Sequence, residues 1–152
     1  MRQVQAPEEC AEQGTTVFLA GGISDTENWQ AVVIAQLRNT PGVIANPRRE
    51  EYEPSDAVGR EQIAWEYRHL QRAGLVAFWF PPETLCPIAL FELGACCSSR
   101  VPLIVGAHPG YRRRFDLVEQ LSLRRPEVQL IDSLDEFVCQ IHAYQVLQGE
   151  MR

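Results

Sequence analysis

Leu75-Val76-Ala77-Phe78-Trp79-Phe80, closed by Pro81-Pro82, is the stretch on which the fold depends. Six successive apolar residues, half of them aromatic, make a run too short for a buried helix, and the prolines end it sharply. A strand without polar alternation has both faces covered, the condition met at the centre of a parallel sheet. Upstream, Thr16-Val17-Phe18-Leu19-Ala20 is a similar run ending at Gly21-Gly22, and Val43-Ile44-Ala45 is a shorter one. Downstream, Val101 to Val105 and Val128 to Ile131 read as two more strands.

Helical patterns fill the intervals. Ser24, Asp25 and Thr26 offer N-cap oxygens before Trp29, Val32, Val33 and Leu37, spaced by three and four, and Thr40-Pro41-Gly42 ends that helix near Asn39. Ile63, Tyr67 and Leu70 predict the apolar stripe of a second helix. Pro87 suits a first helical turn, and Ile88 to Ser99 continue with Gly94 the single breaker. Tyr111 to Leu123 predict a fourth helix, and Ser133-Leu134-Asp135-Glu136 is a capping box that opens the last. Alternation of strands and helices implies right-handed crossovers and helices on both faces of a parallel sheet. The expectation is an α/β, flavodoxin-like (Rossmann-like) three-layer sandwich with five strands in the order 2-1-3-4-5. Residues 1–14 are expected to be a flexible leader and 15–152 one domain. Ligands of such sheets sit beyond the carboxyl ends of the strands, here Gly21 to Ser24, Pro81 to Pro87 and Ala107 to Arg113.

Composition narrows the function. Fourteen Lys+Arg against 20 Asp+Glu leave a net charge of -6, which repels a nucleic-acid polymer but leaves a free nucleotide admissible. Met1 to Gln13 lack a basic start and apolar run, so no secretory signal is read, and no stretch reaches the ~18 to 20 apolar residues of a membrane span. Five cysteines, Cys10, Cys86, Cys96, Cys97 and Cys139, form no Cys-x-x-Cys pair. With no export signal they point to reduced thiols and a cytoplasmic location. His69, His108 and His142 are scattered, so no metal is expected.

Glu92 is the only charged residue of Pro87 to Cys97. Its helical neighbours Ile88, Ala89, Ala95 and Cys96 supply no cation, and an unpaired ionised carboxylate is costly to bury. Either the face meets water, or Glu92 is a reactive acid of shifted pKa. Glu66, beside Trp65, has a mixed environment and gains meaning only if it faces Glu92, since glycosyl chemistry works with two carboxyl groups. Glu83 is the rival second acid. Gly21-Gly22 before Ile23-Ser24-Asp25 is a turn into a helix that can hold a phosphate or sugar hydroxyl, or a mere turn. Arg112, Arg113 and Arg114 could bind a phosphate, pair with acids, or start a solvated helix. Trp65 is a candidate stacking surface for a base.

Val17-Phe18-Leu19-Ala20-Gly21-Gly22, Trp65-Glu66, Phe78-Trp79-Phe80-Pro81 and Phe91-Glu92-Leu93-Gly94 together resemble the nucleoside 2-deoxyribosyltransferase family, closest to its short deoxyribosyltransferase-like branch. The likeness spans about Thr16 to Gln120. It implies a cofactor-free enzyme that cleaves the N-glycosidic bond of a nucleoside or nucleoside monophosphate, passing the sugar to another base or to water. Glu92 matches the family's nucleophile and Glu66 its partner acid. Cys86 falls where members contact the 5′ end of the sugar, and Phe18 where several carry a tyrosine. The implied substrate-binding set is Phe18, Gly21, Gly22, Ile23, Trp65, Glu83 and Cys86. A homo-oligomer is implied as well. The alternatives are a non-catalytic nucleotide-binding module of this fold and a hydrolase of an NAD-type dinucleotide.

Overall fold

The computed structural model describes residues 1–9 and 16–150. Six strands and five helices follow in the order β1 (Arg2–Gln5), β2 (Thr16–Gly21), α1 (Trp29–Gln36), β3 (Val43–Asn46), α2 (Asp56–Arg72), β4 (Leu75–Phe80), α3 (Pro87–Cys97), β5 (Leu103–Ala107), α4 (Arg114–Arg124), β6 (Leu130–Ile131) and α5 (Leu134–Glu150). They form one parallel sheet in the order β1-β3-β2-β4-β5-β6. Without β1 this is the expected 2-1-3-4-5 sheet. Leu75 to Phe80 are buried throughout, and β4 pairs with β2 on one side and β5 on the other.

Period-two alternation divides the strand side chains between two cores. Phe18, Ala20, Val76, Phe78 and Phe80 pack with Trp65, Leu93 and Leu121 of α2, α3 and α4. Val17, Leu19, Leu75, Ala77 and Trp79 pack with Trp29 and Val33 of α1 and Phe137 and Ile141 of α5. The result is a three-layer α/β sandwich of the flavodoxin-like kind.

Three expectations need correction. Arg2 to Gln5, read as part of a flexible leader, pair with Val43 to Asn46 as a sixth, edge strand. Only Val4 of the four is buried, and a polar edge strand with one inward side chain carries almost no periodic signal. Residues 10–14 of that leader lie outside the described residues. Helix α1 starts later than expected because Asn28, not Ser24, Asp25 or Thr26, is the N-cap, its Oδ1 accepting from the Ala31 amide at 3.0 Å. In α2 only Leu70 of the expected stripe Ile63, Tyr67 and Leu70 packs against the core. Ile63 is 67% exposed and Tyr67 similarly so, while Trp65 and His69 point inward. The imidazole stacks on the indole at 3.9 Å between ring centres and its Nδ1 bonds the Trp65 carbonyl, which makes a polar residue part of the buried face.

Candidate active site

The crossovers to either side of β2 leave a crevice at the carboxyl edge of the sheet, and a cavity of about 620 Å³ occupies it. The loops after β2, β3 and β4 and the facing sides of α2 and α3 form its walls. Two glycines make the floor possible. Gly21 has φ +142°, and a Cβ there would meet the Trp79 carbonyl oxygen at 2.0 Å. At Gly22 a Cβ would stand 2.9 Å from Cys86 Sγ and 2.8 Å from Pro81 Cγ. The bare backbone therefore lets the loop after β2 close against the start of α3.

Glu66 of α2 and Glu92 of α3 both line this cavity. Each is partly withdrawn from water, and burial pushes both carboxyl groups upward. For Glu92 the negative charge of Glu66 adds to burial and brings its pKa to about 7. Glu66 is treated differently. Gln62 Nε2 donates to Glu66 Oε1 at 2.7 Å, and this bond and the charge of Arg49 oppose the effect of burial. Gln62 is held in turn by Arg49 Nε on its Oε1 at 2.6 Å and by its own amide on the Pro47 carbonyl at 2.8 Å. Arg49 also pairs with Glu61 at 2.6 Å. The two acids thus act as one titrating pair that retains a proton until about neutral pH, because burial and mutual repulsion both disfavour the doubly ionised state.

Phe18, Gly21, Gly22, Ile23 and Cys86 line the same cavity. Cys86 caps α3 in a left-handed conformation, φ 49° and ψ 54°, a strained state for a residue with a Cβ. Burial first and the charge of Glu83 second push its thiol to about 11, so it stays protonated. Two other members of the expected substrate-binding set fall outside. Trp65 is 0% exposed, lies against Phe18 at 6.2 Å between ring centres, and donates Nε1–H to the Glu8 carbonyl. A fully enclosed indole cannot stack on a base. Glu83 is exposed and absent from the cavity wall, because its loop turns outward before Cys86. The arginine cluster is also elsewhere. Arg114 bonds the Ala107 carbonyl and pairs with Asp132, and Arg113 approaches Asp116 at 3.6 Å.

Sequence reasoning missed the loop after β3. Pro47, Arg48, Arg49 and Tyr52 line the cavity beside Gln62 and Ile63 of α2. The signal was Asn46-Pro47-Arg48-Arg49 directly after a parallel strand, at the edge where ligands sit. Arg48 is fixed by neutral acceptors: Nε donates to Gln30 Oε1 at 3.0 Å, and Nη2 to Thr26 Oγ1 at 3.0 Å and the Glu27 carbonyl at 3.2 Å. Among the described residues no group of three or more His, Cys, Asp or Glu is placed to hold a metal ion, and no helix is long and apolar enough to cross a membrane.

A family model described as nucleoside 2-deoxyribosyltransferase-like matches residues 14–111. That span runs from the start of β2 to beyond β5 and contains every cavity residue named above. No curated protein matches the chain.

Proposed function

The chain belongs to the nucleoside 2-deoxyribosyltransferase-like family, and on that premise we propose that it breaks the N-glycosidic bond of a nucleoside or nucleoside monophosphate through a covalent glycosyl-Glu92 intermediate. The observation that carries this reading is the convergence of Glu66 and Glu92, from two different helices, on one cavity where the charge of Glu66 helps raise the proton affinity of Glu92.

A Glu92 oxygen attacks the anomeric carbon as the carbon–nitrogen bond breaks through an oxocarbenium-like transition state, and the bonding pair leaves with the base. Glu66 delivers a proton to the departing nitrogen. A nitrogen of a second base, or water, then attacks the same carbon, returns a proton to Glu66 and frees Glu92. A pair holding one proton between two acids suits this division of labour. The residues carry out the step without a cofactor.

Exposed apolar side chains stand on the two helices that carry the acids. Phe91 is 78% exposed, and Ile63, Tyr67 and Ile88 are exposed around the two catalytic helices. A homo-oligomer would cover them, and the proposal includes such an assembly.

The reading is tested by incubating the protein with deoxynucleosides, ribonucleosides and their monophosphates, with and without a free acceptor base. Base release or exchange that disappears in Glu92→Ala is expected, and acceptor incorporation separates transfer from hydrolysis. Failure to act on the whole panel, or an Ala variant as active as the wild type, overturns it. Release of nicotinamide from a dinucleotide would reassign the substrate.

A further inference from the structure

Arg48 differs from Arg49, the other arginine that lines this cavity. Arg49 is neutralised by Glu61. Arg48 has an amide oxygen, a hydroxyl and a carbonyl as acceptors, and no carboxylate of the described residues lies within ion-pair distance. Such a guanidinium is partly desolvated with its charge uncompensated, and burial lowers its pKa. Its orientation is secured from behind. Gln30, with 0% exposure, accepts from Arg48 Nε through Oε1 and donates through Nε2 to the Gly22 carbonyl at 3.3 Å. The same carbonyl accepts from Trp29 Nε1 at 2.8 Å. The cation is thereby fixed to the loop after β2, in a chain whose net charge is -6. A prearranged, unpaired guanidinium in a cavity is a receptor for an anionic group.

The position of Arg48 says which part of a substrate it meets. Its bonds run to Gln30, Thr26 and Glu27, and through Gln30 to Gly22, on the α1 side, whereas Glu66 and Gln62 belong to α2. If the base leaves beside Glu66 and the anomeric carbon meets Glu92, the substituent toward Gly22 is the opposite end of the sugar. The start of α3 meets that same end. Cys86 lies against Gly22 and six residues before Glu92, about 9 Å along the helix axis. The Ile88 and Ala89 positions that follow it line the cavity, so the positive end of an 11-residue helix adds to the guanidinium. The two carboxyl groups at the other end would repel an anion, which favours one location for it.

We infer that the site takes a phosphorylated substrate, a nucleoside 5′-monophosphate, and that Arg48 receives its phosphoryl group. The inference rests on the N-glycosidic reading for the direction of the sugar, but the anion site itself does not. The test is cleavage of matched pairs, a deoxynucleoside and its 5′-monophosphate, by wild type, Arg48→Gln and Arg48→Lys. The wild type should favour the monophosphate by about tenfold or more in kcat/KM, mainly through KM, in keeping with one charge-assisted contact. Arg48→Gln should collapse that ratio toward one, and Arg48→Lys should retain part of it. A wild type that prefers the nucleoside, or an Arg48→Gln variant that weakens both substrates equally, overturns the inference. Inorganic phosphate is the other source of the same chemistry. If it accelerates nucleoside cleavage and yields a sugar 1-phosphate, the 5′ assignment is wrong. If neither substrate is cleaved, the N-glycosidic reading fails, and calorimetry on Glu92→Gln decides the rest. Tighter binding of the monophosphate than the nucleoside, lost on adding Arg48→Gln, keeps the anion site, and equal affinity removes it.

Discussion

Arg48 and Arg49 are consecutive, yet they serve opposite ends of one cavity. Arg49 turns to α2, where Glu61 balances its charge and Gln62 carries its influence to Glu66. Arg48 turns to α1, where its acceptors are neutral. At the first end two acids are crowded together and their affinity for protons rises; at the second a cation is held ready with its charge unspent. The difference teaches that this pocket is polarised along its length by where each arginine finds its acceptors, since composition is the same at both positions.

The acidic end should be the more sensitive. Replacing Glu92 with Ala is expected to lower kcat by about 10⁴-fold or more, as removal of a nucleophile does, read by base release under saturating substrate. Retained activity would leave the two ends without a functional distinction. Glu66→Gln should cost about 10² to 10⁴-fold, the range for general acid catalysis. The same change removes the neighbouring charge that helps raise Glu92, so NMR titration should find the Glu92 carboxyl below about 7, yet still above the ordinary value because burial remains.

The pH dependence follows from the same pair. The rate should fall above about pH 7 as the pair loses its last proton, and Glu66→Gln, which leaves only the nucleophile to titrate, should remove that limb. Stability gives an independent sign. Glu92 has a raised pKa in the folded state, so the fold is penalised as pH rises from the ordinary 4.5 through about 7. At about 1.4 kcal/mol per pH unit the penalty is at most about 3.5 kcal/mol. Glu92→Gln should therefore gain stability at pH 8 and little at pH 4, measured by urea unfolding. A gain independent of pH would mean that Glu92 is not the strained member.

Smaller effects sharpen the boundary between the ends. Gly22→Ala places a methyl against Cys86 Sγ and Pro81 and should destabilise by about 1 to 3 kcal/mol by overpacking. Its catalytic loss should appear mainly in KM. Gln62→Leu removes the donor to Glu66, worth about 1.5 to 3 kcal/mol as a bond to a charged group. It should raise the Glu66 pKa and move the acidic limb upward without altering the alkaline one as much.

Much of the site was legible because its chemistry coincides with local anomalies. Glu92 stands alone in an apolar helix, and Gly21-Gly22 ends an apolar strand, so both could be singled out. Trp65 and Glu66 are adjacent, yet one is enclosed beneath Phe18 and the other lines the cavity. On a helix, neighbours in sequence are about 100° apart, so adjacency transfers no role. Glu83 had the right chemistry in the right loop, but the chain turns it outward before Cys86 enters. Nothing in the sequence sets Arg48 apart, because its meaning comes from Gln30, eighteen residues away, and from having no carboxylate of the described residues within ion-pair distance.

Sequence alone determined the layers. Uninterrupted apolar strands such as Leu75 to Phe80, spaced by helices, can bury both faces only in a parallel sheet covered on each side, and an isolated acid in Pro87 to Cys97 marks one helix as unusual. Only tertiary structure decided which acids meet, which tryptophan is sealed, that Arg2 to Gln5 add an edge strand, and which arginine keeps its charge. Those outcomes depend on distances between residues far apart in the chain, and electrostatics and burial are set by such distances rather than by residue type.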